Sequence, residues 1–145
     1  MGKSEQAMAK FVGGFNCAQS VLFAFCDDLG LDKNQALKMS CGFGAGMGRK
    51  EEVCGAVSGG IMVIGAKYGR GENDERQSTE VTYAKIRELM DRFSQQHGTY
   101  LCRRLLRGCE LTTDEGQRIY LGNDYFNKVC KPCVKSVVEI LETII

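Results

Sequence analysis

The stretch CGAVSGGIMVIGAKYG, residues 54–69, decides the fold, because it is apolar over most of its length and yet is built largely from small side chains. A glycine inside a helix costs about 1 kcal/mol relative to alanine. That cost is offset where another backbone or a ligand approaches the helix closely. We therefore predict a helix over residues 51–68, ended by Gly69, at the centre of a helical bundle.

Helical patterning also dominates the sequence on either side of this stretch. Apolar residues recur at three- and four-residue steps after Asn16, a suitable N-cap, and Gly30 is a suitable C-terminal stop. This pattern predicts a helix over residues 17–29. The same reasoning predicts helices over residues 33–40, 78–96, 100–106 and 131–145, and a weaker one that starts at Thr113.

The sequence gives no sign of a β-sheet. Pro132 is the only proline, and no long alternation of apolar and polar residues occurs. Short helices with brief loops predict an all-α protein, a single-domain compact bundle of about six or seven helices. No linker divides residues 1–145, and residues 1–10 are expected to form a loosely packed N-terminus. The glycine-rich helix is also compatible with a homodimer.

Composition narrows the function classes. Nineteen basic residues face 18 acidic ones, a net charge of +1, which argues against a nucleic-acid partner. The longest apolar run, residues 56–66, is far shorter than the roughly 20 residues that span a bilayer, so no membrane insertion is expected. The first ten residues lack the apolar core of a signal peptide, and Gln6 breaks the myristoylation pattern. We expect a cytoplasmic protein.

The eight cysteines are the unusual feature of the composition. In a reducing compartment, so many cysteines indicate redox chemistry, metal binding or small buried side chains. Four of them lie at predicted helix starts: Cys17, Cys54, Cys102 and Cys130. Free backbone N–H groups and the helix dipole favour a thiolate there, which predicts a lowered thiol pKa.

One cysteine pair opens the last predicted helix. In VCKPCVKSVVEIL, Cys130 and Cys133 are three residues apart, so one helical turn brings their sulfurs within reach of each other. Thioredoxin-type proteins use the same local arrangement, but their fold needs strands and a second proline. The pair therefore indicates either a redox or metal role, or simple packing of Cys133 in the core.

A glycine-rich segment separates Cys41 from Cys54. Its glycines alternate, and they allow several backbone N–H groups to converge on a sulfur, a cluster, a phosphate or another anion. No nucleotide-binding motif fits the segment. Two glycines of the following helix, Gly55 and Gly59, could also let a bound group approach the backbone closely. The candidate cofactor-binding residues are therefore Gly42, Gly44, Gly46, Gly48, Gly55 and Gly59.

Two other residues are expected to be structural. Cys26 points to the side of its helix opposite to Cys17 and is predicted to belong to the core. His97 is the only histidine, and we expect it to lie at a helix end and to bond a carbonyl group. A single histidine also disfavours a Cys2His2 zinc site.

Four segments, in order, resemble the redox-active C_GCAxxG_C_C proteins over nearly the full chain. They are FNCAQSV, CGFGAGMGRKEEVCGAVSGGIMVIG, HGTYLCRRLLRGC and VCKPCVKSVVEILE, and CGAVSG matches the CGAxxG motif. The resemblance implies a redox role and a characteristic quartet of Cys41, Cys54, Cys102 and Cys130. It also marks Cys17 as a common feature, and it leaves Cys26, Cys109 and Cys133 as additions.

Three functions remain open at this point. The first is a thiol-based redox protein that serves a redox partner or a small molecule, with Cys41 or Cys54 attacking and the other resolving. The second is a metal module in which Cys41, Cys54, Cys102 and Cys130 hold an iron–sulfur cluster or a zinc ion. The third is a binding or accessory protein whose cysteines are packing residues.

Overall fold

Eight helices form the fold of residues 1–145, which a computed structural model describes throughout. They are α1 (Lys3–Val12), α2 (Cys17–Leu29), α3 (Lys33–Ser40), α4 (Gly55–Tyr68), α5 (Gln77–His97), α6 (Cys102–Leu105), α7 (Asp114–Gly122) and α8 (Lys131–Ile144). A 3-10 turn, Cys41–Phe43, and a short turn, Gly44–Met47, follow α3. A π-helical turn, Phe126–Cys130, leads directly into α8. The prediction of an all-α bundle is confirmed.

Helix α4 is central, as its small residues predict. It packs against α2, α5 and α8, and most of its first ten residues are buried. An added Cβ at Gly59 would lie 2.6 Å from the carbonyl oxygen of Ala18, and one at Gly60 would lie 2.8 Å from Val137. The helix therefore needs glycine at both positions because neighbouring helices approach its backbone closely.

The predicted helix over residues 51–68 is wrong in its first turn. The chain is extended before Gly55, and Val53 forms an antiparallel β-bridge with Leu101. The same pairing takes up the start of the helix predicted over residues 100–106, so that only α6 (Cys102–Leu105) is helical. Backbone hydrogen bonds between two distant segments thus replace local helical ones, which a local pattern does not reveal.

The other helix boundaries follow their capping residues. Asn16 begins α2 with a complete capping box, Asp32 caps α3 and Thr113 caps α7. Gly30 ends α2 in the left-handed conformation with a φ of 65°. The predictions for Asn16, Gly30 and Thr113 are confirmed, because a cap is a local interaction that the sequence specifies.

The N-terminal residues form a helix where a loosely packed segment was expected. Helix α1 packs against α2 and α8, and its Ala7 and Phe11 are buried. Phe11 also stacks on Phe126, with ring centroids 4.4 Å apart. None of the helices is both long enough and apolar enough to cross a bilayer.

The glycine-rich segment contains five consecutive residues with positive φ, from 54° to 71°: Ala45, Gly46, Met47, Gly48 and Arg49. A non-glycine residue pays roughly 1–2 kcal/mol for this left-handed conformation. Tertiary contacts hold the segment in place. An added Cβ at Gly46 would lie 2.5 Å from Cα of Glu51, and the Glu52 N–H donates to the carbonyl of Gly46 at 2.9 Å.

Two alanine substitutions in α4 test the close packing of this helix. Gly59→Ala places a methyl group against the backbone of α2, and we expect it to lower the free energy of unfolding by about 1–3 kcal/mol. Gly65→Ala is the matched control, because nothing lies within 4 Å of its Cβ. It should raise the free energy of unfolding by about 1 kcal/mol, since alanine favours the helix. Urea unfolding measures both, and changes of the same sign would contradict this packing.

Candidate functional site

Three of the four cysteines of the predicted quartet line one cavity. Cys54, Cys102 and Cys130 lie in the wall of a cavity of about 200 Å³, together with Cys17 and Cys133. All eight cysteines of the chain are free thiols. Five thiols from separate segments therefore meet around one space.

Cys41, the fourth member of the quartet, is not part of this wall. It is exposed at the start of the 3-10 turn, and its carbonyl accepts a hydrogen bond of 2.8 Å from the side chain of Asn16. Asn16 also caps the helix that begins at Cys17. The backbone of Cys41 is thus tied to the cavity, but its thiol lies outside.

The β-bridge brings Cys54 and Cys102 together. The N–H of Cys54 donates to the carbonyl of Tyr100, and the N–H of Cys102 donates to the carbonyl of Glu52, both at 2.7 Å. Because side chains alternate along an extended chain, both cysteines point to the same side of the bridge. Sequence analysis missed this pairing, since the two segments are almost 50 residues apart.

Cys17 lies against the start of α4, where only glycine fits. An added Cβ at Gly55 would lie closer than any real contact to the Cys17 sulfur, and 3.0 Å from the carbonyl oxygen of Phe43. The backbone N–H groups of Ala45 and Ala18 act to lower the pKa of this thiol. Ala45 belongs to the glycine-rich segment, so its effect has the direction expected for that segment.

The six candidate glycines differ in what they do. Gly46 and Gly55 line the cavity. Gly44 packs against Asn16 and Gly59 against Ala18, whereas Gly42 and Gly48 have open space around them. The close approaches therefore come from protein atoms of α2 and the bridge.

Burial dominates the thiol pKa values. It raises the pKa of Cys17 and of Cys130 to about 12, and it also raises that of Cys102. The predicted lowering at helix starts is wrong in sign. For Cys17 the N–H groups act as expected, but desolvation of the thiolate outweighs them.

Cys54 and Cys133 are neighbouring thiols in the wall of the cavity. Interaction with Cys133, ahead of burial, raises the pKa of Cys54 well above its ordinary value. The N–H groups of Ala56 and Val57 at the start of α4 oppose the shift without reversing it. Cys54 therefore keeps its proton at neutral pH.

Cys130 has a phenol as its partner. The hydroxyl of Tyr120 donates to the Cys130 sulfur at 3.3 Å, and this bond partly opposes the rise in the pKa of Cys130. Cys130 does not lie at a free helix start, because the π-helical turn continues into α8 and uses its backbone. Tyr120 precedes Cys130 by ten residues in no recognisable motif, so the sequence alone does not reveal this partner.

The metal hypothesis does not fit this arrangement. No three side chains among the histidines, cysteines, aspartates and glutamates are placed so that they could hold one ion. Cys41 of the proposed ligand set lies apart from the other three.

The remaining candidates take structural positions. The Cys26 thiol is buried and donates to the carbonyl of Leu22 at 3.4 Å, and the Cys109 thiol donates to the carbonyl of Gly116 at 2.9 Å. His97 Nε2 is 2.9 Å from the hydroxyl of Ser136, and burial lowers the pKa of His97.

The raised thiol pKa values predict alkaline destabilisation. An unfolded thiol loses its proton near pH 8.5, whereas folded Cys17 keeps it up to about pH 12. The unfolded state binds fewer protons in this window, so the free energy of unfolding falls as pH rises. Cys17→Ser should make the fall between pH 9 and 11 shallower by about 1.4 kcal/mol per pH unit.

Urea unfolding at several pH values measures this slope. Between pH 6 and 7.5 both states keep their thiol protons, so the wild type and Cys17→Ser should there give parallel lines. Parallel lines above pH 9 as well would contradict the raised pKa of Cys17.

Comparison with known proteins places the chain in a family defined by its cysteines. A family model matches residues 15–144, which include all five thiols of the cavity. Neither the curated proteins nor the solved structures gave a match. The chain belongs to the C_GCAxxG_C_C family, whose description is "Putative redox-active protein".

Proposed function

We propose that this protein is a dithiol reductant, in which Cys133 attacks the disulfide of a substrate and Cys54 resolves the resulting mixed disulfide. Family membership supports a redox role. The observation that carries the proposal is the meeting of five free thiols, Cys54 and Cys133 among them, around one cavity.

The raised pKa of Cys54 assigns the two roles. A thiolate, and not a thiol, attacks a disulfide. Cys54 is held in its protonated form, because interaction with Cys133 and burial both raise its pKa. We therefore assign the attack to Cys133 and the resolving step to Cys54.

The reaction balances without a further reactant. The Cys133 thiolate attacks one sulfur of the substrate disulfide, and the other sulfur leaves as a thiolate that takes up a proton. The Cys54 thiol then gives up its proton and attacks Cys133, which releases the second substrate sulfur. Two protein thiols are oxidised to one disulfide, and one substrate disulfide is reduced to two thiols.

The other cavity cysteines support this pair. Cys102 and Cys130 face the same space, and their raised pKa values keep them as thiols. Strong oxidants owe their potential to a stabilised thiolate in the reduced form. Here burial destabilises the thiolates, which favours giving electrons over taking them. In this proposal Cys41 takes no part in the exchange.

Single serine variants separate the two roles. Cys133→Ser should lower disulfide reduction by more than about a hundredfold, because the attacking sulfur is gone. Cys54→Ser should lose turnover too, but it should accumulate a mixed disulfide at Cys133. Intact-protein mass spectrometry under anaerobic conditions, with a small disulfide as oxidant, measures this adduct.

Two variants serve as controls for these losses. Cys26→Ser should keep wild-type activity, since its thiol lies in the core and serine can still donate to the Leu22 carbonyl. Cys41→Ser should also keep activity. Loss of turnover in Cys41→Ser, or an adduct at Cys54 in the Cys133→Ser variant, would overturn the assignment.

A further inference from the structure

We infer that the substrate is a small cyclic disulfide with an apolar body and an anionic end, of the class of a 1,2-dithiolane carboxylate. This inference rests on the proposed function, because it names the disulfide that reaches Cys133. It draws on the size of the cavity, the chemistry of its wall and the position of one arginine.

The size of the cavity restricts the disulfide. An engineered cavity of about 150 Å³ holds one benzene molecule. The volume here, about 200 Å³, therefore admits a single small ring with little more. A disulfide between two peptides, or one within a protein loop, exceeds this space.

The wall of the cavity favours an apolar ring. Twelve of its 17 residues are hydrophobic, and this number includes the five cysteines. Apolar side chains come from α1, α6 and the segments around them: Phe11, Leu105, Leu106, Leu111 and Val129. Burial in this cavity lowers the free energy of a ring made of methylene groups and two sulfurs. A charged disulfide would lose its hydration there, which costs free energy.

Arg49 is the only charged residue in this wall. It is exposed, and no carboxylate lies within ion-pair distance of it, whereas the neighbouring Arg103 pairs with Glu52 at 2.6 Å. Its backbone has a φ of 68°, a conformation that glycine adopts at lower cost. A strained backbone that carries an unpaired guanidinium at a cavity indicates recognition of an anion.

The two features together define the binding mode. The ring lies among the thiols, and a short chain leads its carboxylate out to Arg49. Attack by the Cys133 thiolate opens the ring at one sulfur, and the displaced ring sulfur takes up a proton. Attack by Cys54 on Cys133 then releases the second sulfur, so the open dithiol carboxylate leaves and the Cys54–Cys133 disulfide remains.

Lipoic acid and lipoamide test the inference, because they share the dithiolane ring and differ in charge. With reduced protein under anaerobic conditions, the second-order rate constant for oxidation of the protein by lipoic acid should exceed that for lipoamide by about fivefold, the upper range for an exposed ion pair. Oxidised glutathione should react at least about tenfold more slowly than either.

Arg49→Gly should abolish the preference for lipoic acid, so that lipoic acid and lipoamide react at equal rates. Glycine suits the left-handed backbone, so the fold is expected to persist. Arg107→Gly is the matched control, since Arg107 also has a positive φ of 53° and does not line the cavity. It should keep the wild-type preference.

The possible outcomes separate the inference from the proposed function. Equal rates with lipoic acid and lipoamide, a preference that survives in Arg49→Gly, or rapid reduction of oxidised glutathione would overturn the substrate class alone. Failure of all three disulfides to oxidise Cys54 and Cys133 would overturn the proposed function as well.

Discussion

The contact between the start of α2 and the start of α4 is the constraint on which the rest of the structure depends. At Gly55 the absence of a side chain makes room for the Cys17 sulfur, and at Gly59 it makes room for the backbone of Ala18. This contact belongs to the most extensive helix–helix packing in the protein, and its residues Cys17 and Gly55 form one side of the cavity. Packing and chemistry therefore use the same glycines, and a methyl group at either position would disturb both.

Two physical effects compete at the cavity thiols, and burial is the stronger. Backbone N–H groups reach the sulfurs of Cys17 and Cys54, as helix starts are expected to provide. Removing a thiolate from water costs more than these hydrogen bonds return. The result is a set of buried thiols that hold their protons at neutral pH. In the function that we propose, the shape and charge of the cavity determine which disulfide reacts with them.

The sequence was informative where structure is local. Helix caps at Asn16, Asp32 and Thr113, and the buried glycine-rich helix, all depend on neighbouring residues or on composition. The bridge between Val53 and Leu101 depends on two segments far apart in the chain, so the helix starts predicted at residues 51 and 100 were both too early. The candidate site divides in the same way. The positions of the cysteines relative to the helices could be predicted. That Cys133 lines the cavity and Cys41 does not follows from tertiary packing.

The left-handed segment from Ala45 to Arg49 connects strain to the site. Three non-glycine residues in this conformation cost several kcal/mol in all, by an order-of-magnitude count. The segment supplies one N–H group to the Cys17 sulfur and carries Arg49 to the cavity wall. A right-handed turn would satisfy the backbone at lower cost, but it would direct these groups elsewhere. Such strain persists only where the surrounding structure fixes it, here through the backbone contacts of Gly46 with Glu51 and Glu52. The longest run of left-handed residues in the protein therefore lies beside its thiols and forms part of the cavity wall.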